Sequence, residues 1–196
     1  MNYLAHAYLS FHDPAITVGQ LIADFVKGKQ IDSYDKRIQQ GIRLHRALDE
    51  FTDGHPATRQ ANAVFRPACG PYGPVFMDVV YDHFLANDPE HFPGDALAAF
   101  AASVYDILVT YDSQLPPEFR RVSGYMRSQN WLYHYQERTG IFSSFSGIIR
   151  RARYFDKPAT VPFAVFEEHY RTLELCYRQF FPDALDYMKS RYEGIG

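Results

Sequence analysis

His45 and Asp49 stand four residues apart in "GIRLHRALDEFTDGHP", residues 41–56. At about 100° per residue they fall on one helical stripe with Ile38 and Ile42, while Gln39, Gln40, Arg43, Arg46 and Glu50 fill a separate polar arc. A histidine and a carboxylate thus extend an apolar face, where ionisable groups are costly unless they are paired or ligate a metal. The segment "PVFMDVVYDHFLAND", residues 74–88, repeats the anomaly. It is apolar nearly all round, yet it carries Asp78 and Asp82 at i and i+4, with His83 directly after. Two buried carboxylates at that spacing repel each other unless a cation or a shared proton compensates. His6 in "NYLAHAYL" and Asp24 in "GQLIADFV" are two more polar groups in apolar settings. Together, His6, Asp24, His45, Asp49, Asp78 and Asp82 offer the mixed nitrogen and oxygen donors that Mn²⁺, Fe²⁺, Zn²⁺ or Mg²⁺ accept. The expectation is a catalytic divalent-metal site with water on the metal. His45, Asp49, Asp78 and Asp82 would form its centre, and His6 and Asp24 would be further ligands or groups that orient them.

Other polar residues read as ordinary. Asp53 before Gly54 is a turn former, and His12, His91, His134 and His169 have no comparable context. The chain has no GxSxG elbow, no Walker-type GKS/T, no GxGxxG and no HExxH, so nucleophilic-serine, nucleotide-cradling and hydride chemistries lack support.

The elements that must hold these side chains are helical. Apolar residues recur at three- and four-residue spacing between short Pro, Gly and Asp stretches, with hardly any alternation of period two. This predicts an all-α, single-domain helical bundle over residues 1–196. Its helices lie near 14–28, 35–53, 57–65, 73–87, 94–112, 117–137, 143–155, 161–180 and 182–193. At 196 residues, 46% hydrophobic and 16% aromatic, the chain is long enough to bury a core without disulfides. Cys69 and Cys176 have no metal-type spacing and read as reduced, packed thiols, which suits the cytosol. The start "MNYLAHAYLSFHDP" has no basic region or uninterrupted apolar stretch of a signal peptide, and no apolar run reaches the roughly 18–20 residues of a membrane span. A soluble, cytoplasmic protein is expected.

The net charge of −3 gives no global case for nucleic acid. It is unevenly spread, however. Residues 115–160 hold Arg120, Arg121, Arg127, Arg138, Arg150, Arg151, Arg153 and Lys157 against only Glu118, Glu137 and Asp156. Such a segment can steer an acidic macromolecule by long-range attraction.

The series "MNYLAHAYLS", "GQLIADFVKG", "GIRLHRALDEFTDGHP", "DVVYDHFLA", "NWLYHY" and "RRARYF", in this order and almost end to end, resembles the acyl carrier protein phosphodiesterases. That family is similar to the HD-type metal phosphohydrolases, all-α enzymes whose ligands are histidines and aspartates. Gln20 stands where the family usually has Asn, and residues 82–83 read Asp-His, the reverse of the doublet that names the HD group. The resemblance implies Mn²⁺-dependent removal of 4′-phosphopantetheine from holo acyl carrier protein. A serine alkoxide leaving group needs a general acid, for which His83 or His55 would serve. The carrier proteins are small and acidic, so the resemblance implies that Arg120, Arg121, Arg127, Arg150, Arg151 and Arg153 dock the partner. Trp131 and Tyr135 would then flank the pantetheine entrance. The alternatives are a metal phosphohydrolase acting on nucleotides or another small phosphodiester, and a non-catalytic carrier-protein-binding module. Neither nucleic acid nor a membrane is expected as a partner.

Overall fold

Capping side chains set the starts of three successive helices. Asp13 accepts from the Ile16 amide ahead of α2 (Pro14–Ile22), and Asp35 accepts from the amides of Arg37 and Ile38 ahead of α3 (Lys36–Gly54). His55 accepts from the Ala57 amide ahead of α4 (Pro56–Cys69). Pro14 and Pro56 occupy first helical positions, where a missing N–H costs nothing. The computed structural model describes residues 1–195, and among these residues there is no β-strand. Before these three helices runs the short α1 (Tyr3–Tyr8). After them come α5 (Gly73–Ala86), α6 (Ala96–Thr110), α7 (Pro117–Ser128), α8 (Trp131–His134), α9 (Arg138–Arg151), α10 (Thr160–Glu168) and α11 (Tyr170–Glu193).

The all-α expectation holds, with four local differences. The helix expected over 14–28 ends at Ile22 and passes into short 3₁₀ turns. The one expected over 117–137 is cut at Asn130, whose backbone is left-handed at φ 47°. The expected break at Pro182 does not occur: α11 runs through that proline, and the chain leaves helical geometry at His169 instead. Six-residue α1 was not expected at all.

The core is aromatic. Tyr81 on α5 stacks on Phe180 of α11 with centroids 4.8 Å apart, and Phe65, Phe76, Phe145 and Phe166 are fully buried around them. Cys69 and Cys176 are free and buried. For the site, the decisive contact is between α2 and α3. A Cβ on Gly19 would fall 2.2 Å from the Ile38 carbonyl oxygen, and one on Gly41 2.4 Å from the Ile16 oxygen. The two backbones touch because both glycines lack side chains. This close crossing sets Gln20, next to Gly19, and His45, one turn after Gly41, at fixed depth.

Candidate metal centre and its cleft

His6 on α1 and His45 on α3 stack face to face, with ring centroids 3.9 Å apart and planes 18° from parallel. Both Nε2 atoms point at one carboxylate. His6 Nε2 lies 3.3 Å from Asp49 Oδ1, and His45 Nε2 lies 3.0 Å from Asp49 Oδ2. Yet neither Nε2 makes a well-aligned hydrogen bond, and His45 Nδ1 is also buried without a partner. Buried imidazole nitrogens converging on a carboxylate, with no hydrogen bond to account for them, are the donor set of a divalent cation site. One atom from each of His6, His45 and Asp49 lies within 4.8 Å of the others, so the cluster could hold a metal ion.

Electrostatics inside the cluster pull in opposite directions. Burial disfavours a charge on His45, but the carboxylates of Asp24 and Asp49 beside its Nε2 outweigh it and lift the imidazole to about 9. Burial and the neighbouring His45 hold His6 below its ordinary value. Burial also resists ionisation of Asp49, and the two histidines overcome it, leaving the carboxyl well below the usual range. Asp24 approaches His45 Nε2 at 3.3 Å, but its side chain is 75% exposed, so it stands on the solvent side of the cluster.

Asp78 and Asp82 are compensated differently from the expectation. They do share a face of α5, and that face receives the first residues of the chain. Asp82, fully buried, accepts the backbone amides of Asn2, Leu4 and Ala5 at 3.3, 2.7 and 3.2 Å. Its two oxygens are thus spent on the N-terminus of α1, where unpaired N–H groups and the helix dipole favour an anion. Asp78 accepts from the buried Met1 α-ammonium at 2.8 Å, and the same ammonium lies 3.9 Å from Asp49. The structure therefore brings together His6, Asp24, His45 and Asp49, sets Asp78 beside them across the ammonium, and gives Asp82 the task of anchoring α1.

Neither expected general acid stands at the cluster. Buried His83 has Nδ1 2.8 Å from the Tyr135 carbonyl and Nε2 3.1 Å from the Tyr170 hydroxyl, and burial lowers its basicity. His55 caps α4 through Nδ1 and meets Asp183 through Nε2 at 3.1 Å. Both histidines have each ring nitrogen engaged by structural partners.

The cluster opens into a cleft of about 1150 Å³ whose lining includes His6, Asp24, His45, Asp78, Trp131, Tyr135, Ser143 and Ser144. Of the six arginines expected to dock a partner, Arg121, Arg150 and Arg151 line this cleft. Arg120 is turned back onto Asp112, reaching its carbonyl at 2.7 Å and its carboxylate at 3.2 Å. Arg153 packs over the Tyr154 ring, and Arg127 is exposed outside the lining. Trp131 is half-buried, whereas Tyr135 is buried deep in the wall, its hydroxyl accepting from Asn2. Sequence reasoning noted Gln20 only as a departure from the family pattern and gave it no role in the site, yet its amide reaches His6 at 2.9 Å. A lone amide in an otherwise apolar stretch, adjoining a helix-contact glycine, was the available signal.

A family described as acyl carrier protein phosphodiesterase matches residues 1–184. The chain belongs to that family. It is 32% identical to the acyl carrier protein phosphodiesterase of Serratia proteamaculans, over 97% of this chain and 99% of that one. It is 31% identical to the one from Photorhabdus laumondii, over 93% and 92% of the two chains. With the one from Escherichia coli O45:K1 it shares 30% identity over 95% and 96%. No solved structure matches the chain. The match to the phosphodiesterase family runs from α1 into α11, so it includes every residue of the His/Asp cluster. No helix among the described residues is long and apolar enough to cross a membrane.

Proposed function

We propose that this protein is a divalent-metal-dependent phosphodiesterase that hydrolyses holo acyl carrier protein to apo carrier protein and 4′-phosphopantetheine. The observation that carries this reading is the pair of buried, unbonded Nε2 atoms facing Asp49 at the base of an arginine-bearing cleft. The names of the family's relatives supply the substrate class.

His6, His45 and Asp49 would hold the metal, with Asp24 at its solvent side. Two histidines and a carboxylate suit Mn²⁺, the ion that the family resemblance implies. A metal there supplies an activated water near neutral pH and withdraws charge from the phosphoryl oxygens. Arg150 and Arg151 add fixed positive charge along the same cleft, where a phosphodiester anion has to enter. Ser143, Ser144 and Gln129 line the walls and offer hydrogen bonds to the amides of a pantetheine arm, while Trp131 supplies apolar surface for its methylenes. The acidic partner would dock on Arg121, Arg150 and Arg151 at the opening. A cytoplasmic location follows from this substrate.

The test is incubation of the purified protein with Mn²⁺ and holo carrier protein, with mass spectrometry following loss of the phosphopantetheine mass. Loss that depends on added Mn²⁺ is the expected result. Cleavage of free nucleotides with the carrier protein left intact would replace this reading by the small-phosphodiester one. Metal retained without any turnover would make the protein a carrier-binding module.

A further inference from the structure

Gln20 on α2 is fully buried and hydrogen-bonded at both ends of its amide. Its Nε2 donates to the Leu9 carbonyl at 3.2 Å, and its Oε1 lies 2.9 Å from His6 Nδ1. A carbonyl only accepts, so Leu9 decides which end of the amide is the NH₂ and leaves oxygen facing His6. That oxygen also only accepts, so the hydrogen of the His6 ring sits on Nδ1. In a neutral ring Nε2 is then a bare lone pair, and this is the buried atom 3.3 Å from Asp49 Oδ1 without a hydrogen bond. A lone pair and a carboxylate at that distance repel unless positive charge lies between them. A second proton on His6 would not relieve the conflict cheaply, because it would place charge on a ring stacked 3.9 Å from His45 in a buried site. The backbone that carries Gln20 is held in place, since the adjoining Gly19 is pressed against the backbone of α3.

We propose that Gln20 is a positioning residue that selects the Nδ1–H tautomer of His6, presenting Nε2 beside His45 and Asp49 as a ligand for a divalent cation. This rests on the metal-centre reading above. It deepens that reading by naming the group that makes His6 a ligand rather than the partner of Asp49 in an ion pair. Outer hydrogen bonds of this kind fix ring orientation and tautomer at metal sites.

The test uses Mn²⁺ as probe and needs no turnover. Free Mn²⁺ is counted by electron paramagnetic resonance against the metal-free, full-length protein. Gln20→Leu, which keeps bulk but removes the amide, is expected to bind Mn²⁺ roughly 10–100-fold more weakly than the wild type. Gln20→Glu keeps the acceptor, and its protonated buried form also donates to Leu9. It is expected to bind within about threefold of the wild type, because the orienting contact survives. Equal affinity in wild type and Gln20→Leu overturns the proposal, as does a Gln20→Glu protein as weak as Gln20→Leu. A wild type that takes up no Mn²⁺ overturns the metal-centre reading itself, and the role of Gln20 with it. Should Gln20→Leu not fold, two-bond ¹H–¹⁵N correlation spectra of the metal-free wild type decide. A proton on Nδ1 of His6 supports the assignment, and one on Nε2 overturns it.

Discussion

At His45 two demands compete through pH. Asp24 and Asp49 favour the imidazolium against burial and lift it to about 9, whereas a metal requires the neutral ring. The raised value means that, without metal, the pairing of His45 stabilises the fold fully below pH about 6.5 and loses that contribution as pH rises through 9. Metal binding runs the other way. Below pH 9 each Mn²⁺ has to displace one proton, so affinity should rise about tenfold per pH unit from pH 6.5 and level off above 9. Titration with Mn²⁺ at pH 6.5, 7.5 and 8.5 checks this, and a flat profile would remove His45 from the ligand set. The His45–Asp49 pair was legible in the sequence because its i, i+4 spacing falls on an apolar stripe, which registers burial and proximity together. The same logic misdirected the reading of Asp78 and Asp82. Spacing along α5 says that the two share a face, but it cannot say that the chain's first residues cover that face and saturate it. Gln20 was given no role in the site for the opposite reason: a neutral amide in an apolar stretch raises no charge anomaly.

Among the elements, α1 has the most to do with the least intrinsic stability. Six residues are too few for a helix to sustain itself, and no side chain of its own caps its start. Asp82 holds it from α5 by accepting three backbone amides, and α1 in turn carries His6 into the cluster. Asp82→Ala should therefore act on the fold before it acts on chemistry, leaving three N–H donors without their acceptor. The expected loss is about 3 kcal/mol or more in chemical denaturation, with Mn²⁺ affinity falling as His6 loses its anchor. A variant as stable as the wild type would show that these contacts do not hold α1. The other helices were more legible because apolar periodicity and proline positions marked them. Where elements differ, the cause is tertiary or backbone-specific. Asn130 adopts a left-handed conformation inside an amphipathic run, and Pro182 is tolerated within α11, whose face packs on the aromatic core.

For the whole molecule, the question is how a mildly acidic chain attracts an acidic partner. The overall charge of −3 would repel one at long range, so any attraction has to come from where the positive charge is placed. The sequence revealed the basic segment but not which of its arginines face the site. Arg120 is folded onto Asp112, Arg138 is paired with Glu167, and Arg153 covers Tyr154, whereas Arg121, Arg150 and Arg151 line the cleft that leads to the His/Asp cluster. Changing those three to Glu should slow turnover of holo carrier protein about tenfold or more at low salt, because it removes the local attraction that raises encounter rates. Hydrolysis of a small generic phosphodiester, which needs the cluster but no docking, should change much less. Raising salt from about 0.05 to 0.5 M should slow the wild type on carrier protein by the same route, since screening shortens the reach of exposed charges through roughly 10 Å over that range. The triple variant, with its attraction already gone, should lose that salt dependence. Carrier-protein turnover at wild-type efficiency in low salt by the variant would show that the arginines of the cleft are not the docking face. The partner would then have to be recognised by the apolar residues exposed around the same opening, Val75, Tyr125 and Phe142.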